Sequence, residues 1–131
     1  MSRFQFPKTE RLKSRKSIAE LFDSGKSIHI YPVKILYVSR QEENNQSALI
    51  KCGVSVAKKK HKKAVKRNLL KRRLREAYRL NKQEIQSIAR AKNISVNIFI
   101  IYIAEDIENY TRIKNSMVAG LRRIENEILK K

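Results

Sequence analysis

The sequence predicts an α+β fold, an α/β sandwich of order α-β-β-α-β-α in which helices pack against one central sheet. Three observations carry that prediction. Residues 48–56 alternate apolar side chains with small or polar ones, the period of a strand. Residues 64–80 and 108–129 change to a helical period with one apolar face. Residues 96–103 are apolar at odd and even positions alike, as in a strand covered on both sides.

Residues 1–13 are polar and basic, with Phe4, Phe6 and Pro7 scattered among them, and read as a flexible arm ordered on binding. Residues 14–24 read as a short helix. Ile18, Leu21 and Phe22 recur at helical spacing, Ser14 or Ser17 supplies the cap, Ser17 with Glu20 makes a capping-box pattern, and Gly25 stands just past the end. Residues 27–39 alternate as one strand, with Val33, Ile35 and Tyr37 on one side and Lys34, Leu36 and Val38 on the other. Pro32 has no amide to donate and marks an edge or a bulge. Residues 40–47 are a polar hairpin loop.

In the next strand Ala48, Ile50, Cys52, Val54 and Val56 form the apolar face, opposite Leu49, Lys51, Gly53 and Ser55. Leu70, Leu74, Ala77 and Tyr78 share an arc of the following helix, which breaks near Asn81 before a second helical stretch at 82–91. In the last strand Ile98, Ile100 and Tyr102 oppose Phe99, Ile101 and Ile103. Ile113, Met117, Leu121, Ile124 and Ile128 make the stripe of the final helix. With no repeats, residues 14–131 read as a single domain.

The chain has 131 residues, with 31 Lys and Arg against 12 Asp and Glu, a formal net charge of +19. Such a charge repels itself, and a polyanionic partner is the usual reason it is tolerated. A membrane is excluded as the partner. The longest apolar run, Val96 to Ala104, is interrupted by Asn97 and falls far short of the roughly 20 residues a span needs. The first seven residues lead into charge, so no signal peptide is expected. A single cysteine, Cys52, rules out an internal disulfide and fits a reducing, cytoplasmic location. One Cys and two His without ligand spacing make no protein metal site.

The charge is concentrated. From Lys58 to Arg79 there are twelve Lys or Arg and one acid, Glu76, so 12 − 1 gives +11 of the +19. At about 100° per residue, Arg67, Asn68, Lys71, Arg72, Arg75 and Arg79 share one arc beside the apolar arc, with Lys58 and Lys63 at its N-terminal end. Guanidinium groups bind phosphate in a bidentate fork, and an amide such as Asn68 can bond a phosphate, a 2′-hydroxyl or a base edge. A merely solvated helix avoids one-signed neighbours, because like charges four residues apart repel.

These residues resemble a known family. Gly53-Val54-Ser55-Val56-Ala57-Lys58-Lys59, Ala64-Val65-Lys66-Arg67-Asn68, Lys71-Arg72 and Arg75-Glu76-Ala77-Tyr78 are similar to the signature of bacterial ribonuclease P proteins. Arg11-Leu12, Phe22 with Gly25-Lys26-Ser27, and the terminal Ile/Leu helix extend the resemblance over about residues 11–129. Leu69 stands where the family often has a third basic residue, and Ile18 where an aromatic is common.

The resemblance implies a left-handed βαβ crossover, against the general right-handed rule. It implies a protein subunit that assists removal of the 5′ leader from precursor tRNA. The catalytic RNA would be bound by Arg67, Asn68, Lys71, Arg72 and Arg75, with Lys58, Lys63 and Arg79 extending that surface. A cleft between the first helix and the sheet would hold the single-stranded leader, with Phe22, Ser55 and Lys59 at matching positions and Tyr37 assigned as a cleft aromatic. The partners implied are the catalytic RNA and precursor tRNA, with no obligate protein partner. Mg²⁺ would be held mainly by the RNA, which would carry the catalysis.

The residues themselves agree in part. A sheet aromatic can stack a splayed base while a lysine holds its phosphate, yet Phe22 on an apolar stripe fits a core position equally well. No catalytic constellation is present: Ser55 has no histidine partner, His29 and His61 read as solvated or RNA-facing, and the acids are scattered. The rival readings are a structural RNA binder without a cleft, a duplex-DNA helix and a stand-alone nuclease.

Overall fold

A computed structural model describes residues 5–42 and 49–130. After a 3₁₀ turn at Lys8–Glu10 come α1 (Arg15–Ser24), β1 (Lys26–Ile30), β2 (Val33–Gln41), β3 (Ile50–Val56), α2 (Ala64–Asn81), α3 (Gln83–Lys92), β4 (Ile94–Tyr102) and α4 (Tyr110–Leu129). The sheet order is β1-β2-β4-β3. β2 is antiparallel to both β1 and β4, while β3 and β4 are parallel neighbours joined through α2 and α3.

Local chemistry explains the elements and corrects several expectations. Residues 27–39 form two strands instead of one. The chain reverses at the cis Tyr31–Pro32 peptide, and the Pro32 carbonyl accepts from the Ile103 amide at 2.9 Å. Ser14 caps α1, its hydroxyl accepting from the Ser17 amide at 3.2 Å, so Ser17 receives the cap and does not supply it. Gly25 is not left-handed, with φ −73°. It is needed for close approach: a Cβ there would lie 2.5 Å from the Leu21 carbonyl oxygen. The break after α2 falls at Lys82, and Asn93, at φ 54°, ends α3 in the left-handed conformation that asparagine tolerates.

The two sheet faces are covered unequally. On one, α2, α3 and α4 bury Leu70, Leu74, Ile85, Ile113, Met117 and Ile124 against Ile35, Ile98, Ile100 and Tyr102. On the other, α1 sets Leu21 beside Leu12 and Leu36, while Ile18, Val38, Phe99 and Ile101 remain half-buried. β4 is thus sealed on one face only, where the sequence pattern suggested two.

Of the segment read as an arm, residues 1–4 lie outside the described residues, and residues 5–13 touch the domain through Gln5, Phe6, Glu10, Arg11 and Leu12. The Leu12 amide bonds the Cys52 carbonyl at 3.0 Å, and Arg11 pairs in parallel with Cys52 along the outer edge of β3. Phe6 meets Tyr78 with ring centroids 5.3 Å apart. The Lys82 ammonium, almost wholly buried, donates to Glu10 Oε1 at 2.6 Å and to the Gln5 carbonyl, and Gln86 Nε2 donates to the same carboxylate at 2.8 Å. Most of the predicted loop 40–47, and Ala48, fall outside the described residues.

Removing one partner of a buried ion pair leaves the other charge unpaired in low dielectric. Lys82→Ala is therefore expected to cost about 3 kcal/mol. Arg40→Ala breaks the exposed 2.5 Å pair with Glu20 and is expected to cost less than about 1 kcal/mol. Urea unfolding of the two variants measures the contrast.

Candidate nucleic-acid interface

Helix α2 has no side-chain N-cap. Lys58, Lys63, Asn68, Arg72 and Arg75 are exposed, while Arg67, Lys71 and Arg79 are half-buried beside the apolar arc. The predicted arc is thus graded. Arg67 Nη1 donates to the carbonyls of His61 at 2.9 Å and Lys62 at 2.7 Å, bracing the loop before the helix. Arg79 pairs with Glu76 at 2.5 Å, and this hydrogen bond holds the Glu76 carboxyl below its ordinary pKa. Arg73 donates to the Glu108 carbonyl at 2.7 Å. The outward row is Lys63, Asn68, Arg72 and Arg75.

A groove lies on the opposite, half-covered face of the sheet. Phe22 is 59% exposed and meets Phe99 edge to face, ring centroids 5.9 Å apart. The floor follows from register: on β3, Lys51, Gly53 and Ser55 stand beside Asn97, Phe99 and Ile101 of β4. Gly53 is forced to be small, since a Cβ there would lie 2.9 Å from both the Leu12 carbonyl oxygen and Phe99 Cδ1. Ser55 therefore lies on the groove face, and Lys59 is exposed in the turn after β3. At the α1 N-terminal end the groove widens into a concavity of about 540 Å³, lined by Lys8, Arg11, Lys13, Arg40, Lys51 and Asn97 among others.

Tyr37 is not in this groove. It alternates with Leu36 and Val38, pairs with Ile98 and is 5% exposed within the core on the helical face. The sheet aromatic on the groove side is Phe99. The alternation had already set it opposite Ile98, but the pattern gave no sign that its covering was incomplete. Lys51, Asn97 and Arg40 were missed for the same reason. His61 is also corrected. It is 4% exposed, with Nε2 2.8 Å from the Ala104 carbonyl and its ring against Tyr102 at 5.6 Å, so it pins the loop. His29 is exposed. Among the described residues no group of three or more His, Cys, Asp or Glu side chains could hold a metal, and no helix is long and apolar enough to cross a membrane.

Residues 6–125 match the family model described as Ribonuclease P. The chain belongs to the ribonuclease P protein family. The match runs from the packed N-terminal segment into α4 and so takes in both α2 and the groove. The ribonuclease P protein component of Porphyromonas gingivalis is 34% identical over 125 residues, covering 95% of this chain and 90% of that one. That of Petrotoga mobilis is 31% identical over 126 residues, 92% and 95% of the respective chains. The solved RNase P protein of Thermotoga maritima shares 26% identity and superposes with a TM-score of 0.62 over 87% of this chain and 96% of that one. The Staphylococcus aureus RNase P protein, at 24% identity, shares the fold with a TM-score of 0.65 over 89% and 95%. The ribonuclease P protein fold is thus the mixed α+β architecture found here.

Exposure decides what Phe22 can be. Phe22→Ala is expected to lower stability by less than about 1 kcal/mol, as for a surface substitution. Leu21→Ala, one residue away and 1% exposed, is expected to cost about 2–5 kcal/mol. Thermal melting of the two variants checks this.

Proposed function

We propose that this chain is the protein subunit of ribonuclease P, acting in the cytoplasm on precursor tRNA. The outward row of α2 docks on the catalytic RNA. The groove between α1 and the sheet takes the single-stranded 5′ leader. Mg²⁺ is held mainly by the RNA, which carries out the cleavage, and the protein contributes affinity and positioning.

The observation that carries this reading is exposed Phe22, set edge-on to half-buried Phe99 over a half-covered sheet face. An unpaired base can slide against such a pair, whereas a duplex presents only stacked ones. Lys51 and Lys59 toward the two ends of the groove supply cations for the backbone of the same strand. α2 offers a different chemistry: guanidinium groups and one amide on a rigid helix, suited to the phosphates of a folded RNA. A structural RNA binder has no use for the groove, and a DNA-reading helix has no use for its aromatic pair.

The two surfaces should fail separately. Arg72→Ala is expected to weaken assembly with the catalytic RNA by about 1.5–3 kcal/mol, a loss that shrinks as salt rises. Phe22→Ala is expected to leave assembly intact and to weaken binding of leader-bearing precursor by about 1–3 kcal/mol, with little change for leaderless tRNA. Titrations with both tRNAs at two salt concentrations measure this. Equal preference for the two tRNAs in both the wild type and Phe22→Ala would remove the leader from the groove. The protein without RNA is expected to cleave nothing.

A further inference from the structure

Helix α4 lies outside the surfaces assigned above, yet its outer side is strongly basic. Arg112, Lys114, Arg122, Arg123 and Lys130 are exposed there. Of its two acids, Glu125 is 7% exposed, while Glu127 keeps 41% of its side chain exposed and pairs with Lys26 of β1 at 3.5 Å. Arg112, Arg123 and Lys130 are 11 and 7 residues apart in the sequence, which brings them within about 20° of one another on the helix. Asn115, Ala119 and Asn126 lie alongside, also exposed. The result is a straight ridge about 27 Å long. Arg112 already leans on the Tyr31 ring at 5.1 Å. Lys114, Arg123 and Lys130 have no ion pair among the described residues.

We propose that this ridge is a second RNA-binding surface that grips the phosphate backbone of a base-paired segment apart from the one bound by α2. Charge complementarity identifies the occupant: cations and amides form one row, with the Tyr31 ring beneath Arg112 at one end and Leu129 exposed at the other, and such a row suits phosphates and 2′-hydroxyls more than bases. A membrane surface does not suit it, because the apolar stripe of α4 is sealed in the core and cannot enter lipid. The position is also distinct. α2 packs on β3 at one edge of the sheet, and α4 packs on β1 and β2 at the other. A concavity of about 580 Å³ between α4 and β1 continues the ridge; Lys26, Arg123, Asn126 and Lys130 line it together with Tyr37 and the one acid, Glu127. With cationic surfaces toward both edges, the protein can hold two RNA segments together.

The inference rests on the reading of this chain as the ribonuclease P protein subunit. Its test uses the full chain and the ribonuclease P RNA transcribed from the same genome. Arg123→Gln with Lys130→Gln changes two exposed side chains. It is expected to reduce the slope of log affinity against log salt by about 1.4–1.8, from 0.7–0.9 per lost phosphate contact. Hydroxyl-radical footprinting should show one protected RNA segment lost and another retained. Arg72→Ala with Arg75→Ala should lose the complementary segment. If the α4 variant keeps the wild-type slope and footprint while the α2 variant is weakened, the second surface is refuted and the first reading stands. If both variants behave as wild type, both are refuted. If only the α4 variant weakens, the ridge is supported and the assignment of α2 is overturned.

Discussion

β4 is hydrogen-bonded along both edges, to β2 and to β3, and the rest of the molecule is arranged around that pairing. A strand held this way must bury its faces by other means. Three helices seal one face completely, with Ile94, Val96, Ile98, Ile100 and Tyr102 all at 1% exposure or less. Burial on that scale contributes about 1.5–3 kcal/mol per large side chain, enough to leave the second face less than fully covered. The ten-residue α1 and the N-terminal segment reach only part of it. The groove is what remains, and Phe22, one residue from buried Leu21 and so turned about 100° from it around α1, stays exposed beside Phe99.

Three acids of this chain hold structure. Glu10 neutralises buried Lys82, Glu20 ties Arg40 of β2 to α1, and Glu76 holds Arg79 against α2. Arg67 and Arg73 are engaged with backbone carbonyls. The charges that face outward on α2 are therefore cationic, and a helix with such like-charge neighbours needs its apolar arc docked to persist. Leu70, Leu74, Ala77 and Tyr78, all fully buried, supply that docking. The N-terminal segment links the two sides of the sheet, with Phe6 on Tyr78 of α2 and Leu12 in the small cluster beneath α1.

Much of this was legible in the sequence where one physical signal dominated. The stripe of α4, the apolar face of β3 and the basic face of α2 follow from side-chain period alone. The hairpin at Pro32 was not legible, because alternation continues across it and a missing amide fits an edge, a bulge or a turn. The contact of Glu10 with Lys82, 72 residues away, was hidden by the polarity of both. Tyr37 and Phe99 show the limit for the site. Period two separates the faces of a strand but does not say which face helices will leave open, and the resemblance supplied an aromatic from the sealed face. His61 read as a surface histidine in a lysine run, although the Ala104 carbonyl and Tyr102 ring hold it inside.

The central claim is that opposite faces of one sheet serve two RNAs, and site-directed cross-linking tests it most directly. Cys52 is 1% exposed, with burial pushing its thiol pKa upward. Thiolate chemistry is suppressed there, so a cysteine introduced elsewhere can carry the photo-reactive label selectively. Labels at Phe22→Cys and Arg72→Cys are compared in the assembled complex with leader-bearing precursor tRNA. The account predicts that position 22 cross-links to leader nucleotides and position 72 to the catalytic RNA. Cross-links from both positions to the same RNA segment, or from position 22 to the catalytic RNA alone, would contradict it.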